Sequence, residues 1–133
     1  FRRVLFRSNL TGVFLACRAA LPHLKARGGG YIINISSLAA VNAFTRGAAY
    51  CASKAGLTMF GEALMQEVRY DNIRVSSVMP GSVATGFSGG PREGDDWKIA
   101  PADVAQVVMD LLSMDARSLP SRVELRPSKP PRK

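Results

Sequence analysis

Apolar positions along this chain follow two different rhythms. From Asn9 to about Ala26, Val13, Phe14, Leu21 and Leu24 recur at near-helical spacing. Pro22 is a candidate kink within that helix, and Gly28-Gly29-Gly30 supplies a C-terminal stop and turn. "YIINIS" (31–36) breaks the rhythm. It is short, apolar and β-branched with little alternation, the pattern of a strand buried on both faces of a parallel sheet. Helical spacing returns over 48–69, with Leu57, Phe60, Leu64 and Val68 on one face and Glu62, Gln66 and Arg69 elsewhere. "NIRVSSVMPG" (72–81) reads as a turn, a strand and a Pro-Gly stop. Residues 82–99 are rich in Gly, Ser and charge and read as loop. Pro101 in a first turn, with Asp103 near the positive helix end, opens a helix through Leu112. Its predicted buried face is Val104, Val107, Val108, Leu111 and Leu112. "SRVELRP" (121–127) alternates with period two and predicts a last strand, and the tail "SKPPRK" is expected to lack fixed structure.

Helices and strands in alternation define an α/β class with a parallel sheet built from crossover units. The 133 residues suffice for one domain. The first eight, "FRRVLFRS", back-translate to one frame of a common sequencing-library adapter. They are expected to be non-native and are set aside from the fold, with the native sequence starting near Asn9.

Charge changes the picture only after it is located. The net +8 is concentrated at the ends: residues 1–8 carry +3 and residues 122–133 carry +4, leaving +1 for the body. A near-neutral body without a basic stripe among aromatics argues against a nucleic-acid function. No uninterrupted apolar run approaches a membrane span, so no membrane partner is expected. Cys17 and Cys51 are isolated and lack metal-ligand spacing. They read as small packing side chains in a reducing, cytoplasmic setting.

Several motifs fail on context. "GFSGG" (86–90) has the spacing of a hydrolase nucleophile elbow, but Ser88 lies in loop-like sequence and His23, the lone histidine, precedes it. "GSVATGFS" (81–88) has phosphate-loop glycines with Phe87 where the lysine belongs. His23 reads as a solvent-facing helix residue, and no cluster suggests a metal site. Tyr50 and Lys54, by contrast, stand four apart among small residues and project from the same helix face. A phenol ordinarily ionises near pH 10. Acid–base use near neutrality therefore needs a nearby opposite charge, which an ammonium provides. Ser36 and Ser37 end the strand before this helix, and "MPG" ends the next one. Ligands of parallel sheets bind beyond such carboxyl ends.

Asn-Leu-Thr-Gly (9–12), "INISS" (33–37), Tyr50-x-x-x-Lys54 and "PGSVAT" (80–85) together resemble the short-chain dehydrogenase/reductase family. The resemblance runs from Asn9 to about Val123, and Ser37 stands thirteen residues before Tyr50, as the family pattern has it. It departs in lacking the family's glycine-rich cofactor loop and Asn-Asn-Ala-Gly segment. The expectation is therefore the C-terminal half of a truncated member: a partial Rossmann-type, doubly wound parallel sheet over 9–126 with N-terminal strands missing, followed by a basic tail at 127–133.

The resemblance implies NAD or NADP as cofactor and hydride transfer between the nicotinamide and a small-molecule carbonyl or alcohol. It makes Tyr50 the acid in reduction and the base in oxidation, and places it with Lys54 among the cofactor-binding residues. Lys54 would tune Tyr50 and hold the nicotinamide ribose, and Ser37 would hydrogen-bond the substrate carbonyl. Asn9 would hold a water relaying protons to Lys54. Pro80 and Gly81 would let the backbone pass close to the nicotinamide, with Val83 and Thr85 on its carboxamide. Trp97 belongs either to a substrate lid or to an anchor for its own loop. The helices at 9–26 and 50–69 resemble the family's subunit-packing pair, with Gly56 and Gly61 permitting close approach, which implies a homo-oligomer, dimer or tetramer, at full length. Two alternatives stand beside the enzyme: a cofactor-binding sensor without turnover, and an association module of the same fold. Substrate identity and the choice between NAD and NADP are not written in these residues.

Overall fold

The computed structural model describes residues 2–86 and 94–131. Ser88 and Phe87 of the rejected loop motifs, and Arg132 and Lys133 of the tail, lie outside the described residues. The chain opens on a helical stretch in three parts: α1 (Arg2–Phe6), a π-helical turn (Arg7–Thr11) and α2 (Gly12–Ala26). The helix expected to begin near Asn9 thus begins at Arg2, and α1 packs against α3 (Ala48–Val68). Strands β1 (Gly30–Ile35), β2 (Ile73–Pro80) and β3 (Arg122–Leu125) and helix α4 (Pro101–Ser113) complete it, with short 3-10 turns at Leu38–Ala40 and Arg69–Asp71.

The three strands form one parallel sheet in the order β1-β2-β3, with Asn34 paired to Ser77 and Val78 to Val123. β2 is the centre and is buried along its length except at Arg74. β1 corrects the expectation of burial on both faces: most of it is half-buried, and Ile35 is exposed because it points to the face opposite Asn34, which α3 covers. α2 and α3 cover one face of the sheet. There Cys17, Leu64, Met65, Val68, Ile73 and Val75 form a core with Val13, Leu21, Leu24 and Phe60 against it. Burial pushes the Cys17 thiol pKa up, as desolvation of a thiolate requires. α4 begins at Pro101, where the Asp103 carboxylate accepts from the Ala100 N–H at 2.9 Å. Leu111 is its buried anchor, and Leu112 faces solvent rather than the core.

Gly61 faces the sheet, and a Cβ there would stand 3.0 Å from Ser77 Oγ. One on Gly56 would stand 3.2 Å from Leu10 Cδ2. Both close approaches therefore lie within the chain. The stretch Arg3–Ala26 is one helix long and apolar enough, by length and composition, to cross a membrane, at a mean hydropathy of 1.3.

The glycine turn between α2 and β1 is under steric constraint at Gly29. Its φ is 141° and a Cβ would lie 2.6 Å from Asn72 O. Gly29→Ala is expected to destabilise the fold by about 2 kcal/mol or more, since it combines backbone strain with a clash against main chain. The midpoint of urea unfolding measures it.

Candidate active site

All eight residues singled out from the sequence line one cleft of about 970 Å³ at the carboxyl ends of the strands: Asn9, Ser37, Tyr50, Lys54, Pro80, Gly81, Val83 and Thr85. Tyr50 stands in the first turn of α3, and Lys54 follows one turn later. The Lys54 ammonium donates to Ile35 O at 2.9 Å. Burial disfavours its charged form and pulls its pKa below the ordinary lysine value.

Two serines end β1 and divide the work. Ser36 is buried; its hydroxyl donates to Lys54 O at 3.2 Å and stands 2.6 Å from Thr58 Oγ1. Ser37 is half-buried and opens on the cleft, its Oγ accepting from Ala39 N–H at 3.1 Å and donating to Pro80 O at 3.4 Å. The longer contact is weak, so this hydroxyl is the more easily redirected of the two.

Asn9 lies in the π-helical turn, which brings its side chain to α3. Its Nδ2 donates to Ser53 Oγ at 3.2 Å, and Ser53 Oγ donates to Tyr50 O at 2.8 Å. Such turns insert one extra residue into a helix and recur at functional sites. Beyond β2, Gly81 N–H donates to Leu125 O at 2.8 Å, and a Cβ on Gly81 would sit 3.1 Å from both Leu38 Cδ1 and Pro127 Cδ. Only a glycine passes without displacing these neighbours. Val83 and Ile99 form a parallel bridge, and Thr85 N–H donates to Val83 O at 2.9 Å. Trp97 lines the cleft, and its neighbour Lys98 pairs with Asp95 at 2.7 Å.

Four features of the site were not read from the sequence. Phe44 lies beside Tyr50 with ring centroids 6.5 Å apart, on a loop without periodicity. Ser53 is fully buried as the link between Asn9 and Tyr50. Ser36 is the tether of α3, a role its neighbour's motif position obscured. Pro127 and Pro130 line the cleft, so Pro130, in the tail expected to lack fixed structure, is part of a wall of the site. Among the described residues no group of three or more His, Cys, Asp or Glu is placed to hold a metal ion.

With this geometry in view, comparison with known proteins is specific. The family model described as short chain dehydrogenase matches residues 2–96. The chain is 45% identical over 86 residues to the trans-4-hydroxycyclohexanecarboxylate dehydrogenase of Sinomonas cyclohexanicum, covering 65% of this chain and 33% of that protein. Among solved structures, a metagenomic short-chain oxidoreductase in complex with NADP superposes with a TM-score of 0.75 at 39% identity, over 93% of this chain and 50% of that one. The closed form of a serine dehydrogenase complexed with NADP+ gives a TM-score of 0.79 at 30% identity, over 88% and 52%. A parallel α/β sheet with a cleft beyond its strand ends is the architecture of the nucleotide-binding, doubly wound class. Within that class, the chain belongs to the short-chain dehydrogenase family. It spans between 33% and 52% of the length of these three relatives.

Proposed function

We propose that the full-length protein is an NAD- or NADP-dependent oxidoreductase that interconverts a small-molecule carbonyl and its alcohol, with Tyr50 as the acid–base residue. The observation that carries this reading is the convergence of Ser37, Tyr50 and Lys54 in one cleft beyond β1 and β2. Lys54 and the Pro80–Thr85 loop suit the nicotinamide end of a dinucleotide, a fixed cation for the ribose beside a closely packed backbone turn. When bound, the cofactor supplies or accepts the hydride.

The chain's own residues handle the oxygen. Ser37 Oγ turns from Pro80 O to donate to the substrate carbonyl, favouring the negative charge that develops there. Tyr50 Oη gives the proton to that oxygen in reduction and removes it in oxidation. Lys54 favours the phenolate by opposite charge. Asn9 holds the water that returns protons to Lys54, and Val83 and Thr85 meet the carboxamide. A cytoplasmic setting and a homo-oligomeric state belong to the same reading. A sensor without turnover has no use for the whole Asn9, Ser37, Tyr50 and Lys54 set, and an association module has no use for the cleft. Cofactor fluorescence during incubation of the full-length protein with a panel of ketones and aldehydes separates the three. Cofactor-dependent turnover is expected, and cofactor binding without turnover on any of them would favour the sensor.

Residues 1–133 alone are expected to hold no dinucleotide tightly. The pyrophosphate of such cofactors rests on a glycine-rich strand-to-helix turn, and the G-x-G-x-x-G spacing occurs nowhere in this sequence. Calorimetric titration with NADH and NADPH tests this; stoichiometric, micromolar binding would overturn it.

A further inference from the structure

Lys54 is held at its two ends by two adjacent residues, the last of β1 and the one that follows it. Its ammonium donates to Ile35 O at 2.9 Å, and its backbone carbonyl accepts from Ser36 Oγ at 3.2 Å. Hydrogen counting then fixes the direction of the remaining contact. Ser36 has one hydroxyl hydrogen, directed at Lys54 O, so across the 2.6 Å contact Thr58 Oγ1 is the donor and Ser36 Oγ the acceptor. The result is a relay, Thr58 O–H to Ser36 O–H to Lys54 O, with both hydroxyl residues at least 95% buried. A helix threonine ordinarily turns its hydroxyl back to the carbonyl four residues earlier, which here is Lys54 O itself. Ser36 is interposed on that route, so a local helix contact becomes a link to the strand.

We propose that the buried Ser36–Thr58 pair is a positioning device for Lys54, setting the register of α3 on the end of β1 so that the ammonium meets Ile35 O and the cleft together. Ser36 lines the cleft, but its hydroxyl is engaged by Lys54 O and Thr58 Oγ1, so the pair acts through Lys54. The adjacent Ser37 opens on the same cleft, so the relay also registers the carbonyl-binding hydroxyl against the lysine. The proposal rests on the reading of Lys54 as a cofactor-binding residue.

The test is steady-state kinetics on the full-length enzyme with Ser36→Ala, Thr58→Ala, the double variant and Thr58→Ser, each checked for folding by circular dichroism. Ser36→Ala is expected to raise the cofactor KM by about tenfold while changing the KM of a carbonyl substrate less than twofold, as loss of cofactor positioning predicts. Because the two hydroxyls act as one unit, the double variant should be no worse than Ser36→Ala. Thr58→Ser, which keeps the hydroxyl, should retain the parent cofactor KM. An unchanged cofactor KM in Ser36→Ala, additive effects in the double variant, or loss in Thr58→Ser would each overturn the device. Lys54→Met run in parallel separates the two levels. If it too leaves cofactor KM and turnover at parent values, the functional reading fails. If only the hydroxyl variants are silent, the device fails and the reading stands.

Discussion

Tyr50→Phe in the full-length enzyme is expected to lower turnover by about 10²- to 10⁴-fold, the range that a positioned proton donor contributes. The substitution removes one oxygen and its proton and leaves the ring. Tyr50 sits in the first turn of α3, and its carbonyl accepts from Ser53 Oγ. That backbone contact survives the change, as does the ring's position beside Phe44. The fold should therefore stay intact while kcat falls. Stopped-flow reduction with a saturating carbonyl substrate measures the chemical step. Near-parent turnover would show that the proton comes from elsewhere.

Lys54→Met is expected to strike binding and chemistry together. An ammonium hydrogen-bonded to the ribose contributes about 1.5–3 kcal/mol, or roughly 10- to 100-fold in cofactor affinity, and its loss also removes the charge that favours the Tyr50 phenolate. Stability should move differently. Because burial lowers the Lys54 pKa, the folded protein binds fewer protons than the unfolded chain between that lowered value and the ordinary 10.5. Stability attributable to this group therefore rises with pH across that window and falls as pH drops through the folded pKa. The methionine variant should lack this rise. Denaturant titration at several alkaline pH values reads it, and fluorescence titration with the reduced cofactor reads the affinity. Unchanged affinity would remove the ribose role.

The sheet was legible in the sequence because its three strands carry their signals locally. β2 runs apolar into a Pro-Gly stop and β3 alternates, matching Ile73–Pro80 and Arg122–Leu125. The positions of Tyr50, Lys54 and Ser37 were legible as well, since four-residue spacing and strand-end placement are local properties. What escaped were features made by partners distant in sequence. Ser53 gains its role from Asn9, 44 residues earlier. Pro130 gains its place from the turn after β3. Gly61 has Asn34 and Ser77 against it, from strands far away in sequence. The degree of burial of β1 escaped for a different reason: apolar composition reports what a strand suits, not which of its faces is covered.

The wide turn at Arg7–Thr11 has a consequence for helical phase. One additional residue rotates everything before it by about 100° relative to everything after it. The apolar stripe of α2 therefore does not continue in step into α1, and any alignment or graft that treats Arg2–Ala26 as a uniform helix will assign the wrong inward face to one of its halves. The interruption also sets Asn9 where its amide reaches Ser53. A deletion that restored the phase would give a more regular helix and rotate that amide out of reach. Here a flaw in periodicity is what brings two segments, far apart in the chain, to the same cleft.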